Sequence, residues 1–124
     1  AMDICIGLTV NFATNPEAML TAADRIVFQV DDGDSNIDCV TEKDGTATTT
    51  DSGVDIASGT AVTLGFHVKS TGSVEFFVNR NKVATHTANI PDDENLALGA
   101  MELSGSATGT KSMNIDYMFA AQDR

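Results

Sequence analysis

Apolar residues recur at every second position through the middle of this chain, and that period fixes the class of structure it can form. Val62, Leu64, Phe66 and Val68 alternate with small or polar residues, and Val74, Phe76 and Val78 repeat the pattern a few residues later. A period of two puts one set of side chains on one face of a pleated strand and the intervening set on the other, whereas a helix would scatter them around its axis. Similar runs occur at Ile4-Ile6-Leu8-Val10, Ile26-Phe28-Val30 and Met113-Ile115-Tyr117-Phe119, with shorter ones over residues 37–41 and at Leu96-Leu98-Ala100. Clusters of Gly, Asp, Asn, Ser and Thr separate them at the spacing of an all-β domain. Each run needs a second layer over its apolar face, so the expected architecture is two packed antiparallel sheets.

Between the first two runs, Asn15, Pro16 and Glu17 follow the order of a helix N-cap, a first-turn proline and an early acid, leading into Ala18, Met19 and Leu20. One short helical turn is expected near residues 16–22. Residues 43–53 are polar and threonine-rich and read as a turn or an exposed hairpin. Val83, Thr85 and Thr87 continue the alternation of the central meander onto a third strand after a turn at Asn79-Arg80-Asn81-Lys82.

At 124 residues the chain has the size of one domain, spanning residues 1–124. The pair Ala1-Met2 ahead of the first run reads as a cloning remnant, which leaves open that the chain is a piece of a longer protein. No apolar run approaches the roughly 20 residues needed to cross a bilayer, and no secretory leader is visible, so no membrane partner is expected. Seven Lys and Arg against eighteen Asp and Glu give a net charge of −11, a field that repels nucleic acid and anionic lipid. Nine of the carboxylates fall between residues 24 and 55, where only Arg25 and Lys43 oppose them. Cys5 and Cys39 lack C-x-x-C spacing and read as reduced, the alternative being a bridge across adjacent strands.

Chemistry is sought where the pattern brings polar groups together. Keeping Phe66 and Val68 on one face with Val74 and Phe76 sets Val68 opposite Val74 and His67 opposite Glu75. A four-residue turn then sets Glu75 opposite His86, so that His67, Glu75 and His86 form one row suited to Zn²⁺ or another transition metal. The plainer reading, a glutamate between two histidines on a sheet surface, carries more weight because a metal site also needs a supporting second layer of hydrogen bonds. Asp32, Asp34, Asn36 and Asp38 recur at alternate positions like the first ligands of a calcium loop. An EF-hand counted from Asp32 would need glycine and a bidentate acid where Ile37 and Lys43 stand, so an ordinary acidic turn is the stronger reading. Phe77 shares the outward parity of Glu75 and is a candidate interface residue. No G-x-S-x-G elbow, phosphate loop or dinucleotide fingerprint is present, and the chain is read as a non-enzyme that requires no cofactor.

Residues 44–91 resemble the concanavalin A-like or laminin G-like jelly roll, most recognisably in FFVNRNKVATHTANIP, a strand, turn and strand in which Arg80 stands where the pattern has glycine. The closing MNIDYMFAAQDR, with its Asp116-Tyr117 pair, is similar to the last strand of such domains. With acidic, Thr-rich connections and no lectin-type loop, the likeness is nearest to virion structural proteins of tailed bacteriophages. It implies an antiparallel two-sheet jelly-roll sandwich serving as a capsid decoration or fibre module in a virion assembled in the host cytoplasm. Other virion proteins and further copies of the chain are then its partners. A carbohydrate-binding, lectin-like module that takes glycans is the alternative. No catalytic or ligand residue of the family maps onto this sequence.

Overall fold

The structure is a computed structural model that describes residues 2–10, 17–70, 72–104 and 111–122. It is all-β, with two antiparallel sheets and one turn of helix. The strands are β1 (Met2–Thr9), β2 (Arg25–Val30), β3 (Asn36–Lys43), β4 (Thr46–Asp55), β5 (Leu64–Ser70), β6 (Ser73–Val78), β7 (Asn81–His86) and β8 (Ala97–Ser104), and the helix is α1 (Ala18–Thr21). The larger sheet has the order β4-β3-β2-β1-β8 and the smaller β5-β6-β7. The helical turn falls where expected, with Glu17 at its N-cap position; Asn15 and Pro16 lie outside the described residues.

The alternation read from the sequence becomes the core between the sheets. Ile26, Phe28 and Val30 of β2 meet Val74, Phe76 and Val78 of β6, all buried. Phe28 and Phe76 pack edge to face with ring centroids 5.3 Å apart, and Phe66 joins them at 6.4 Å and 6.1 Å. Such geometry sets the positive ring edge against the negative face.

A second, smaller core lies on the opposite face of the larger sheet, where Met19 of α1 covers Cys5, Val27, Val40 and Met101. Burial on both faces explains why Ile26, Val27 and Phe28 are all buried although a half-buried strand would alternate. Cys39 belongs to the core between the sheets and Cys5 to the core under the helix, and their strands are separated by β2. The two free thiols therefore point to opposite sides of one sheet and cannot bridge.

Two hairpins turn on residue pairs with positive φ. Asp44 (51°) and Gly45 (75°) join β3 to β4, so the threonine-rich stretch is part of a hairpin, but not an exposed one: alternate residues of β4 are half-buried and Val54 packs against the core. Asn79 (52°) and Arg80 (68°) join β6 to β7. Positive φ at both central residues is the conformation that matches strand twist in a two-residue turn. Asn79 fits it and anchors it: its amide donates to the Thr63 carbonyl (2.8 Å) and its Oδ1 accepts from the Thr63 amide (3.0 Å). Arg80 instead holds its Cβ against the following carbonyl. Arg80→Gly is expected to raise stability by about 1 kcal/mol, moving the thermal midpoint up by roughly 3–6 °C. A lower midpoint in differential scanning calorimetry would contradict the turn geometry.

That turn also corrects the register of β7. It is two residues long rather than four, and a bulge between Phe76 and Phe77 then sets Phe76 opposite Ala84 and Val74 opposite His86. A shift of one residue reverses every side chain. Ala84 and His86 accordingly face the core while Thr85 is exposed, the reverse of the expected Thr85-Thr87 inward row.

Candidate interaction surface

The sheets differ in width, and the difference concentrates on one side of the molecule. At the β4 and β7 side they close on each other through His86. Its Nδ1 lies 2.9 Å from Thr41 Oγ1 and its Nε2 lies 3.0 Å from Thr50 Oγ1. The Thr41 hydroxyl donates to the Ala88 carbonyl at 3.1 Å, which has only lone pairs to offer. Neutral His86 must therefore carry its proton on Nδ1 and donate it to Thr41, while Thr50 donates to Nε2.

Burial pushes His86 below the ordinary imidazole pKa of 6.5. The unfolded chain then takes up a proton that the folded chain refuses, so this contribution is intact above pH 6.5 and is lost as pH falls below it. Between pH 6.5 and about 5, above the carboxylate range, urea stability is expected to fall by at most about 1.4 kcal/mol per pH unit. The His86→Gln variant is expected to be less stable at pH 7 but flatter across that window. An equal slope in both proteins would remove His86 as the cause.

The row proposed for a transition metal does not assemble. His67 is opposite Glu75 as expected, but the corrected register places Thr85 on the other side of Glu75 and turns His86 inward. Glu75 is engaged instead by Lys69 Nζ at 2.9 Å and Lys82 Nζ at 3.2 Å, which hold its carboxyl below the usual range. The acidic turn is likewise held by hydrogen bonds within the protein. The Asp32 amide donates to Asp3 Oδ1 (2.6 Å), the Asn36 amide to Asp34 Oδ1 (3.0 Å) and Asn36 Nδ2 to Asp51 Oδ2 (3.2 Å). Asp38 stands directly opposite Asp51, and its carboxyl is pushed up by burial and then by the charges of Asp51, Asp31 and Asp34. Among the described residues no group of three or more His, Cys, Asp or Glu side chains is placed to hold a metal ion. Phe77 is half-buried on the outer face of the smaller sheet, opposite Gly65 and Lys82.

The open side lies at the other end of the sandwich-like stack. β5 is the edge of the smaller sheet and reaches as far as β2, through Phe66 and Phe28. Beyond it β1 and β8 have no strand opposite, and Ile4, Ile6, Leu8, Leu98 and Ala100 on their inner face are only half-buried. Residues 111–119 border this overhang across a cleft of about 1280 Å³.

Here the sequence reading is corrected most. The Met113-Ile115-Tyr117-Phe119 alternation predicts a strand, yet residues 111–122 form none and no hydrogen bond joins them to the described part of either sheet. A strand exists only where a neighbour takes its amides and carbonyls, and this segment has its apolar pattern without that neighbour. Tyr117 (77%) and Phe119 (79%) are almost fully exposed, and the other exposed large apolar side chains among the described residues are Ile115, Met118 and Val68 near the end of β5. All five border one side of the molecule. Neither the acidic stretch nor the histidine row pointed to this surface; the signal that could have found it is the terminal alternation itself, read as apolar surface still to be covered.

No protein-family model, curated protein or solved structure matches the chain.

Proposed function

We propose that this chain is a non-catalytic structural module that works through protein–protein contacts, built as a jelly-roll sandwich and carried on a tailed-bacteriophage particle as a capsid decoration or fibre module. The observation that carries the assembly reading is the gathering of exposed apolar side chains around the open side, where an unpaired strand edge and an uncovered sheet face adjoin. Contiguous apolar surface of this kind marks contact sites in soluble proteins. The net charge of −11 suits repeated display on a crowded particle, because like surfaces away from the contact repel. The virion placement rests on the resemblance of residues 44–91 and 113–124 to phage structural domains.

Light scattering of the purified chain, with and without EDTA, tests the assembly reading. A closed oligomer of unchanged mass in EDTA is the expected result; a monomer at every concentration would defeat it. Binding to phage particles lacking their decoration protein tests the placement. The glycan-binding alternative draws on Tyr117 and Phe119, two exposed rings in one segment that offer faces for sugar stacking. A glycan array with signal lost in Tyr117→Ala would favour it.

A further inference from the structure

We propose that two copies of this chain exchange their C-terminal segments, residues 113–119 of each adding as an antiparallel strand to the free edge of β5 in the other. This rests on the assembly reading above and names the surfaces that perform it.

Three observations converge. First, among the described residues β5 is hydrogen-bonded to a strand on one side only, so its outer edge presents unpaired amides and carbonyls beside an uncovered apolar face. Second, the segment has the period-two pattern to fill that place: with Met113, Ile115, Tyr117 and Phe119 turned inward, they would cover Ile4, Ile6, Leu8 and Leu98. Third, proximity within one chain has not produced the strand. Residues 111–119 border the cleft with Leu64 and Phe66, while Ala121 and Gln122 lie by Val68 and Lys69, so the segment runs in the same direction as β5. Every strand pair among the described residues is antiparallel, and parallel pairing is the poorer bond per residue. A segment tied to β8 of its own chain arrives in the wrong sense; one from a second copy is free to enter antiparallel.

The exchange is isologous and closes on itself as a twofold dimer. Ile115, Tyr117 and Phe119 from each copy leave water, and at roughly 150–250 Å² per buried aromatic the pair reaches the order of 1,000 Å², the scale of a specific interface.

Direction gives a discriminating test. Antiparallel entry brings Lys111 of one copy beside Lys69 of the other, whereas within a chain these lysines lie at opposite ends of β5. The 124-residue chain, unlabelled and heavy-nitrogen-labelled, is refolded together and treated with a short lysine cross-linker. Mixed-isotope links between the Lys69 and Lys111 peptides are the expected result; links within single chains only, or none, would overturn the exchange. In sedimentation, Tyr117→Ser combined with Phe119→Ser, both exposed in the single copy, is expected to weaken the dimer at least tenfold, and so is removal of residues 111–124. An oligomer that survives both changes sinks the exchange and leaves the assembly reading standing. A wild-type chain that is monomeric throughout sinks both.

Discussion

Gly7→Ala is expected to cost about 4 kcal/mol and to lower the thermal midpoint by roughly 15–20 °C, the effect of adding one methyl group to a sheet. Gly7 lies in β1 opposite Val27 of β2 and Gly99 of β8. A Cβ built there would stand 2.3 Å from the Ile26 carbonyl oxygen and 2.8 Å from the Val27 Cα. Both are backbone atoms of the central strand, so no rotamer change relieves the contact; β1 would have to move away from β2, disturbing the ladder that carries both cores. The φ of +150° adds a conformation that residues with a side chain rarely adopt. Gly65→Ala is the matched control. It too lies in a strand, but its Cβ would meet nothing within 4 Å, and a change under about 1 kcal/mol is expected. Urea denaturation of the two variants side by side measures the difference. A loss below 1 kcal/mol in Gly7→Ala would mean that β1 and β2 are not in this close contact.

Gly7 shows where sequence reading stops. The alternation of Ile4, Ile6 and Leu8 identifies the inner face of β1, and by the same rule assigns Cys5, Gly7 and Thr9 to solvent. All three are buried, because α1 and its Met19 cover the outer face of the sheet. A four-residue helix has too little periodicity to announce which sheet it will cover. The core between the sheets was legible because Phe28, Phe66 and Phe76 lie in clean alternating runs and packing rewards that pattern wherever the strands pair. The histidine row was not, because it depended on the exact length of one turn. Asn79 and Arg80 make that turn shorter than its four polar residues suggest, and the bulge beyond it leaves His86 on the opposite face from Glu75. The terminal strand fails for another reason: periodicity states which side chains would share a face, but not whether a neighbouring strand is there to take the amides and carbonyls.

Arg25→Ala is expected to destabilise the chain by about 3–5 kcal/mol, because it removes a buried cation that ties α1 to the larger sheet. Arg25 is 7% exposed. Its Nε donates to Glu42 Oε2 at 2.7 Å across the β2–β3 pair. Its Nη1 lies within bonding distance of the Met19 and Leu20 carbonyls at 3.1 Å and 2.7 Å, and of Gln29 Oε1 at 2.9 Å. Truncation strands the Glu42 carboxylate and two helix-end carbonyls together, which is why the loss exceeds that of an exposed ion pair. Glu42→Gln keeps an acceptor for Nε and is expected to cost only about 1–2 kcal/mol. Arg25→Lys restores the charge but not the planar fork, so it should recover less than half of the loss. Cysteine chemistry locates the damage. Burial pushes the Cys5 thiol up to about 11 and the Cys39 thiol up to about 12, so both are unreactive at neutral pH in the intact fold. Detachment of α1 uncovers the outer face, where Cys5 lies, and leaves Cys39 between the sheets. In native buffer, alkylation of Cys5 is expected to accelerate at least tenfold in Arg25→Ala while that of Cys39 follows global unfolding alone. Equal acceleration at both thiols would mean that Arg25 supports the whole sheet rather than the helix over its outer face.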